Sequence, residues 1–468
     1  MPDTTSDPAF LSVRELRAQY RARTLSPVDV IERVFARIDA HESRVNAFCL
    51  LDRDGALTSA RASEQRWMRG MPDGMLDGIP ISIKDVILTR GWPTLRGSKT
   101  VDVTGPWDED APATARVREA NAVIFGKTTT SEFGWKGVCD NPLTGITRNP
   151  WDTAKTSGGS SGGAAAALAL GMGTLALGTD AAGSIRIPAS FCGVSGIKGT
   201  FGHVAAYPIS PLGTLANVGP LARTIEDVAL LLDVISQPDA RDWFALPSAA
   251  PVTPRIESGV RGMRIAYSQD MGYARVDPAV ASLVDRAAQH FETLGAHVER
   301  VDHVCADSIE MLETLWFAGS ADVVRRIPAA QRALMDPGFV AVAELGDGLS
   351  LAQYRAAEAG RLALGTALQA FFGQFDLLLT PTMPIPAFEA AQNVPPEFED
   401  RQWTAWSPFT YPFNLSRQPA ASVPCGWTPD GLPVGLQIIG PLYADARVLQ
   451  AAYAFEALHP FVIPPAAR

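Results

Sequence analysis

The sequence has little of what several protein classes require. Its five cysteines, at positions 49, 139, 192, 305 and 425, lie far apart and lack paired CxxC spacing. This scatter argues against a disulfide framework and against a cysteine-based metal site, and it favours a reducing, cytoplasmic compartment. Acidic residues outnumber basic residues by 50 to 40, and no basic run offsets the net charge of −10. We therefore expect no nucleic-acid-binding surface.

Long hydrophobic runs and a targeting segment are also lacking. Residues 1–7 are polar and carry two acids, which is not typical of a secretory signal. Residues 156–179 contain no charged side chain, but glycines and hydroxyl-bearing residues interrupt their apolar positions. A membrane-spanning helix would be richer in Leu, Ile and Val, so we expect no membrane segment. The uncharged stretch needs another explanation.

Amphipathic helical segments and short apolar segments alternate along the whole chain. A serine followed by proline, and then by apolar residues at helical spacing, predicts a helix from Ser26 to about Ala40. Further helices are predicted at 112–120, 164–170, 224–235, 277–294 and 445–458, and strands at 78–84, 122–125, 263–267, 297–301, 376–380 and 434–439. Such alternation is typical of an α/β fold with a covered, largely parallel sheet.

The domain organisation follows from this alternation. We predict a single large domain over residues 1–468, with a mixed, mostly parallel central sheet covered by helices. Residues 1–65 are predicted to form an N-terminal helical arm packed on the core. Residues 236–260 contain four prolines and little periodicity, so we expect a surface excursion there rather than a boundary between independent units.

The uncharged stretch combines hydroxyls and glycines in a pattern that suits acyl transfer. Residues 156–163 read TSGGSSGG, and residues 178–188 read GTDAAGSIRIP. Glycine lets the backbone adopt positive φ and approach a substrate closely. The small residues at 181–183 let successive amides face one concavity, which is what an oxyanion requires. Ser184 follows them directly and is a candidate nucleophile.

A serine nucleophile needs a base, and none of the six histidines lies in a recognisable catalytic setting. Lys84 ends an apolar strand that contains three isoleucines. Apolar surroundings disfavour the charged amine and lower its pKa, so Lys84 is a candidate neutral base. Asp85 would face the opposite side of the strand and is expected to serve as scaffold. Asp180 and Arg186 are expected to form a structural ion pair.

These motifs resemble the amidase signature family of serine amidohydrolases, and the resemblance extends over nearly the whole chain. It rests first on GGSSGG at 158–163, on GTDAAGSIR at 178–186 and on Lys84-Asp85. Further motifs are LDGIPISIKD at 76–85, GKT at 126–128, SEF at 131–133, NPWD at 149–152, LTPT at 379–382, Asn414-Leu415 and GLPVGLQ at 431–437. Several independent motifs in the family's order make this resemblance specific.

The resemblance implies the amidase signature fold and a Ser–cis-Ser–Lys triad. By motif position, Ser184 is the nucleophile, Ser160 is the bridging serine after a cis peptide bond, and Lys84 is the base. Four backbone N–H groups would form the oxyanion hole, those of Ala181, Ala182, Gly183 and Ser184. Ala182 stands where the family commonly has the first of two glycines. The resemblance implies neither a metal nor a cofactor.

A competing motif interpretation concerns residues 158–162, which also match GxSxG, the nucleophile elbow of α/β-hydrolases. That elbow follows an apolar strand, whereas residues 149–155 are predicted to be loop. Its histidine would have to be His459, near the proline-rich C-terminus. We therefore favour the lysine-based triad.

The substrate is less specified by the sequence than the reaction. Side chains that suit either an apolar pocket or the core are Trp135, Cys139, Ile187, Trp316 and Phe317, together with Trp403, Trp406 and Phe409. Glutamine-tRNA-forming amidotransferase subunits of the family usually have glutamine at the position of Ile187, and this difference favours a free-standing hydrolase.

We predict an amidohydrolase that acts on a small, rather hydrophobic aryl or alkyl amide. One alternative is an amidotransferase A-type subunit that generates ammonia for a partner. Another is a binding or scaffold protein with a decayed site, which the presence of all three triad residues disfavours. The sequence also leaves open the alternative that the chain forms a homodimer.

Overall fold

The computed structural model describes residues 7–398 and 401–467 of the chain. Its α-helices are α1 Val13–Ala22, α2 Pro27–Val45, α3 Arg53–Met68, α4 Pro112–Glu119, α5 Gly162–Ala169, α6 Arg186–Cys192, α7 Ile225–Ile235, α8 Pro278–Thr293, α9 Ile309–Arg325, α10 Pro337–Asp347, α11 Leu351–Phe372, α12 Pro412–Leu415 and α13 Asp445–Glu456. Its strands are β1 Phe48–Leu51, β2 Pro80–Lys84, β3 Val123–Thr128, β4 Asp140–Asn141, β5 Gly145–Ile146, β6 Leu175–Asp180, β7 Ser195–Lys198, β8 Asn217–Ala222, β9 Arg264–Tyr267, β10 His297–Arg300, β11 Leu377–Pro381, β12 Ala420–Trp427 and β13 Pro433–Ile439.

The start of α2 shows how the local sequence produces these elements. The Ser26 hydroxyl accepts the N–H of Asp29 (3.2 Å), and the Asp29 carboxylate accepts the N–H of Ser26 (2.9 Å). This reciprocal cap satisfies two amides that the helix itself leaves free, and Pro27 fits the first turn because it has no N–H to satisfy. The helix continues to Val45, five residues beyond its predicted end, and stops at Asn46 in the left-handed conformation.

Eleven of the thirteen described strands form one sheet, in the order β1-β3-β2-β6-β8-β7-β12-β13-β11-β9-β10. Its parallel pairs lie in two blocks, β3-β2-β6 and β11-β9-β10, and antiparallel pairs join the remaining neighbours. The prediction of a single α/β domain with a mixed sheet is confirmed. The expected preference for parallel strands applies to the two blocks, and antiparallel strands connect them.

Apolar side chains are buried on both faces of this sheet. In β11, Leu377 and Leu379 join a core cluster that includes residues of α7, α8 and α13. Leu378, on the opposite face of the same strand, joins a second cluster that includes residues of α9, α10 and α11. Helices therefore cover both faces, and β11 begins with three consecutive leucines, as expected of a strand buried on two sides.

Two segments differ in part from their predicted roles. Residues 8–68 contain a short 3₁₀ helix and three α-helices, but they also supply β1, which pairs with β3 at the edge of the sheet. Residues 236–260 carry one short 3₁₀ turn, and Val252 and Ile256 of this segment are buried in the core. Within residues 7–398 and 401–467, no helix is both long enough and apolar enough to cross a membrane.

Candidate active site

Lys84 is the last residue of β2 and is completely buried. Its Nζ atom makes hydrogen bonds to the Oγ of Ser160 (2.7 Å), the Oγ of Ser161 (2.9 Å) and the Oγ1 of Thr179 (2.8 Å). Within the described chain, none of its hydrogen-bond partners is a carboxylate. Burial disfavours the charged amine and lowers the pKa of Lys84 to about 7, although nearby negative groups act to raise it. The neutral amine is therefore well populated near neutral pH.

The three hydroxyls around Lys84 accommodate both protonation states of its amine. A protonated lysine donates three hydrogen bonds, whereas a neutral lysine donates two and accepts one. The Ser161 hydroxyl donates to the carbonyl oxygen of Thr179 (3.2 Å), so it can only accept from Lys84. This leaves Ser160 or Thr179 to donate a proton to the neutral amine. The geometry is thus compatible with proton transfer from Ser160 to Lys84.

The loop that carries Ser160 is tightly packed along its backbone. The Gly159–Ser160 peptide bond is cis. A Cβ atom at Gly159 would lie 2.5 Å from the carbonyl oxygen of Val138, so the position has room only for glycine. The N–H of Ser161 donates to the carbonyl oxygen of Ser184 (3.1 Å). This bond joins the Ser160 loop directly to the segment of the predicted nucleophile.

Ser184 lies in the short connection between β6 and α6, and its neighbours explain the small residues of the motif. Gly183 has a φ of +124°, a conformation that side chains disfavour, and a Cβ there would lie 2.6 Å from the Oγ1 of Thr410. Glycine is therefore required directly before Ser184. Ala182 does not have a positive φ, so its backbone conformation suits alanine.

The peptide between Ala182 and Gly183 is held at both ends. Its carbonyl oxygen accepts a hydrogen bond from the Oγ1 of Thr410 (2.6 Å), and its N–H donates to the Oδ1 of Asp180 (2.8 Å). The predicted oxyanion donor Gly183 is thus already occupied. In the described chain, three of the four predicted amides have no acceptor, those of Ala181, Ala182 and Ser184.

Asp180 and Arg186 form the ion pair expected from the sequence, and both side chains are completely buried. Two hydrogen bonds of 2.9 Å join the guanidinium to the carboxylate. Arg186 also donates to the carbonyl oxygen of Thr410 (2.9 Å), the Oε1 of Gln437 (2.7 Å) and the Oδ1 of Asn414 (2.6 Å). Burial alone would raise the pKa of Asp180, but the Arg186 charge and hydrogen bonds hold it below its usual value. The network connects the segment that carries Ser184 to the C-terminal third of the chain.

A cavity of 660 Å³ adjoins these hydroxyl groups. Ser160, Thr179 and Ser184 line one part of it. Most of its remaining wall is apolar and includes Phe133, Phe201, Tyr207, Ile209, Leu212 and Phe244. A cavity of this volume suits a small organic ligand, because such sites combine an apolar wall with a few polar groups.

The side chains predicted to form an apolar pocket do not line this cavity. Trp135, Cys139, Ile187, Trp316 and Phe317 are instead buried in the core, outside the cavity lining. The same is true of Trp403, Trp406 and Phe409. Trp135 stacks on Phe339 at 5.9 Å between ring centroids, and the Nε1 of Trp316 donates to the carbonyl oxygen of Trp135 (3.1 Å). These aromatic residues stabilise the structure around the cavity without reaching it.

Ile187 and Cys139 pack against the two serine segments from inside the protein. A Cβ at Gly158 would lie 3.1 Å, and one at Gly183 2.9 Å, from the side chain of Ile187. A Cβ at Gly162 would lie 2.5 Å from the Cβ of Cys139. Both side chains therefore limit how far the two serine-bearing loops can move, and neither lines the cavity.

Thr179 is the third partner of Lys84, and sequence reasoning missed it. β6 runs parallel to β2, with Leu177 paired to Ile83, and this register brings Thr179 beside the end of β2. The motif at 178–186 contained the residue. Only the pairing of β2 with β6 shows that its hydroxyl reaches the amine, and no strand was predicted at residues 175–180, so the sequence offered no signal for this contact.

The alternative of a nucleophile elbow at Ser160 finds no support in the geometry. In the part of the chain that the structure describes, no strand immediately precedes Ser160, although α5 follows at Gly162. The Nε2 of His459 lies 2.7 Å from the Nδ1 of His290, and within the described chain it makes no hydrogen bond to Ser160. The cavity lining does not include His459.

Comparisons with known proteins identify similar chains along almost the full length. Residues 29–449 match the model of the family described as Amidase. An acylamidase from Rhodococcus erythropolis is 35% identical over 463 residues, which cover 97% of this chain and 96% of the relative. The A-type subunit of the glutamyl-tRNA(Gln) amidotransferase from Chloroflexus aurantiacus is 34% identical over 480 residues, which cover 96% of each chain.

A solved structure also has a similar fold. The structure of a bacterial aryl acylamidase that belongs to the amidase signature enzymes superposes with a TM-score of 0.89. The two sequences are 31% identical, and the match covers 96% of each chain. The family match over residues 29–449 includes the segments that carry Lys84, Ser160 and Ser184.

Proposed function

Since the chain belongs to the amidase family and is an amide hydrolase, we propose that it cleaves a small, mainly apolar carboxylic amide through a covalent intermediate on Ser184. Lys84 is the base in this proposal, and Ser160 relays the proton. One observation carries it: a buried amine with a pKa of about 7 lies 2.7 Å from the Ser160 hydroxyl, beside the cavity that Ser184 also lines.

The reaction begins when the Oγ of Ser184 attacks the carbonyl carbon of the amide. The Ser184 proton passes to Ser160, and the Ser160 proton passes to the neutral amine of Lys84. A tetrahedral oxyanion forms, and its collapse breaks the C–N bond. The proton held by Lys84 returns through Ser160 to the departing nitrogen. Water then attacks the acyl-enzyme by the same relay, and this step releases the carboxylic acid and restores Ser184.

Backbone amides stabilise the oxyanion in this scheme. The N–H groups of Ala181, Ala182 and Ser184 are the candidates, because the N–H of Gly183 donates to Asp180. Asp180 and Thr410 act as positioning residues, since they fix the peptide plane in the middle of this segment. Preorganised donors of this kind contribute strongly to acyl transfer because they need no reorientation during the reaction.

The substrate class rests on the wall of the cavity and on the relatives. The cavity volume and its mainly apolar lining fit a small aryl or alkyl amide. Two of the similar proteins are an acylamidase and an aryl acylamidase. Linear alkyl anilides are therefore the first substrates to assay.

The direct test is anilide hydrolysis by the purified chain and by Ser184→Ala. We expect the wild-type chain to release aniline from butyranilide, and mass spectrometry of a rapidly quenched reaction to show the butanoyl adduct on the peptide that contains Ser184. Ser184→Ala should lose about 10³-fold or more in kcat. Ser195→Ala is the matched control, because the buried Ser195 hydroxyl has no hydrogen-bond partner within the described residues. Full turnover by Ser184→Ala would overturn the proposed nucleophile.

A second candidate is an ammonia-generating amidotransferase subunit, which the similarity to the Chloroflexus aurantiacus protein supports. The two candidates differ in their substrate and in their dependence on a partner. Rapid release of ammonia from glutamine by the isolated chain, without anilide turnover, would favour the amidotransferase role. Anilide turnover without glutamine turnover would favour the free-standing hydrolase.

A further inference from the structure

Arg96 lies in the loop that follows β2, and this loop is built around Asp85. The Asp85 carboxylate accepts the N–H groups of Leu95 (3.2 Å) and Gly97 (3.3 Å), on either side of Arg96. Arg96 itself has a φ of +55°, which is uncommon for a residue with a side chain. Its partly buried side chain lines the cavity. The loop thus holds Arg96 at the cavity wall through the backbone contacts of its neighbours.

The Arg96 guanidinium lacks a direct partner, in contrast to the other charged side chains of the cavity wall. Asp242 accepts the N–H groups of Ala206 (2.8 Å) and Phe244 (2.9 Å). Asp322 and Arg326 form an ion pair at 2.7 Å. Within residues 7–398 and 401–467, the Arg96 guanidinium has no ion pair, no side-chain hydrogen bond and no aromatic partner.

Arg96 is also close to the reacting groups along a short chain of contacts. Its carbonyl oxygen accepts the N–H of Phe133 (2.8 Å). The next residue, Gly134, lines the cavity beside Ser160, and a Cβ at Gly134 would lie 3.3 Å from the Oγ of Ser160. A ligand whose amide reaches Ser160 and Ser184 therefore lies near the wall that carries Arg96.

A guanidinium in such a place has a specific chemical requirement. Arginine remains charged in proteins, and its planar fork of N–H donors matches the two oxygens of a carboxylate. Partial burial without a counter-ion costs free energy, and an anionic ligand in the cavity would offset that cost. Burial lowers the pKa of Arg96 and the Asp85 charge raises it. Asp85 is itself paired with Lys127 (3.3 Å), so it leaves the guanidinium free to bind a ligand.

We propose that Arg96 binds a carboxylate carried by the amide substrate, so that the substrate class is a mainly apolar amide with one anionic end. This inference deepens the proposed function and rests on it. It differs from the plain anilide expected from the apolar wall, because it assigns a charged recognition point to the same cavity. Arg96 is then a specificity-determining residue, while the chemistry stays with Lys84, Ser160 and Ser184.

Binding separates this inference from the proposed function. In the Ser184→Ala background, calorimetry would compare two carboxylates, succinanilic acid and 4-butanamidobenzoate, with their neutral isosteres 4-methylpentananilide and 4′-isopropylbutyranilide. We expect at least one carboxylate to bind more tightly than its isostere. Adding Arg96→Gln should lower the affinity for that carboxylate by about 10- to 100-fold and leave the affinity for its isostere unchanged. Equal losses for both members of each pair, or no binding of either carboxylate, would overturn the inference.

Two further variants guard against trivial explanations. Arg96→Gly suits the left-handed backbone and removes the whole side chain, so it should reproduce the selective loss without straining the loop. Arg325→Gln removes the same charge from an exposed residue that pairs with Asp347 outside the cavity lining, and it should change no affinity. A loss of carboxylate affinity in Arg325→Gln equal to that in Arg96→Gln would overturn the role of Arg96.

Kinetics complete the test with the otherwise native chain. Arg96→Gln should raise KM for the preferred carboxylated anilide and keep its activity toward the neutral isostere. Wild-type turnover of the neutral anilides with no response of any carboxylate to Arg96 would reject the inference and retain the amidase. Selective carboxylate binding without turnover of any anilide would retain the role of Arg96 in binding and reject the proposed anilide substrates.

Discussion

Two buried lysines on adjacent parallel strands have very different surroundings. Lys84 on β2 and Lys127 on β3 are both inaccessible to solvent, and the register pairs Ile83 with Lys127. Lys84 is surrounded by hydroxyl groups. Lys127 lies 3.3 Å from the Asp85 carboxylate and donates to the carbonyl oxygen of Ile87 (3.2 Å). Burial lowers the pKa of both amines. The Asp85 carboxylate counteracts this effect by direct contact with Lys127, whereas Asp180 acts on Lys84 without a hydrogen bond to it.

The comparison shows how the partner of a buried amine decides what the amine can do. A carboxylate stabilises the ammonium form, so Lys127 and Asp85 act as a fixed ion pair beneath the loop that carries Arg96. Hydroxyls both donate and accept, so they tolerate the loss of a proton from Lys84. The same residue type, buried to the same extent, therefore serves as scaffold in one strand and is suited to proton transfer in the next.

The largest expected effect comes from exchanging each lysine for methionine. Lys84→Met should lower kcat by about 10³-fold or more, since the proposed relay loses its proton acceptor, while the fold is retained. Lys127→Met should instead lower the free energy of unfolding by about 3–5 kcal/mol, because it leaves Asp85 buried without its partner. Anilide turnover and urea denaturation measure the two effects. Comparable turnover by Lys84→Met and the wild-type chain would contradict the proposed role of Lys84 as the proton acceptor.

The pH dependence of kcat/KM gives the next largest effect. Protonated Lys84 cannot accept a proton, so kcat/KM should fall about tenfold per unit below pH 7 and level off above it. Lys198 is the control, because burial lowers its pKa to about 7 as well, yet its Nζ donates to the carbonyl oxygen of Gly199. Lys198→Met should keep the same midpoint. A profile without an inflection between pH 6 and 8 would contradict the lysine base.

The lowered pKa of Lys84 also predicts the direction in which the free energy of unfolding changes with pH. Between about pH 7 and the ordinary lysine value of 10.5, the unfolded chain binds a proton at this position and the folded chain does not. The free energy of unfolding should therefore rise with pH across this window. Below pH 7 the full free-energy cost of burying the charged amine is present. Lys84→Met lacks the ionisable group, so its free energy of unfolding should rise less steeply with pH than that of the wild-type chain.

The smallest expected effect concerns Thr179. Thr179→Val removes one acceptor from the ammonium form of Lys84, so we expect the kinetic midpoint to move to lower pH and kcat to fall about tenfold. Thr128→Val is the matched control, since the buried Thr128 hydroxyl has no hydrogen-bond partner within the described residues. A midpoint that moves to higher pH in Thr179→Val would show that the hydroxyl does not support the ammonium.

Much of the fold could be predicted because its pattern is local. Strands such as β9, β11 and β13 are short apolar runs, and their predicted positions agree with the structure within a few residues. Other strands were missed for a physical reason. β8 contains Gly219 and Pro220, and β12 contains Pro424 next to an irregularity in its pairing. Proline and glycine normally argue against a strand interior, so local rules fail where the surrounding sheet accommodates them.

The candidate site also contains some residues that local motifs predict and others that they do not. Lys84, Ser160 and Ser184 were predicted because each lies in a compact motif, although their catalytic roles stay proposals. The cavity wall was not predicted, because an apolar aromatic residue suits the core and a pocket wall equally well, and the sequence alone does not distinguish the two positions. Tyr207 and Leu212 reach the cavity from a loop after β7, and Arg96 does so through its backbone conformation. Such contacts depend on the tertiary arrangement, which residue spacing does not specify.

The anchoring of Arg186 has a consequence for the order in which the molecule matures. Its hydrogen bonds to Thr410, Asn414 and Gln437 span 224, 228 and 251 positions of the chain. A ribosome therefore releases both serine segments long before it makes the residues that brace them. Until those residues have been synthesised and packed, Asp180 and Arg186 lack the partners that complete their network. The nascent chain thus carries Ser160 and Ser184 without these contacts for much of its synthesis, and the complete network forms only with the C-terminal third.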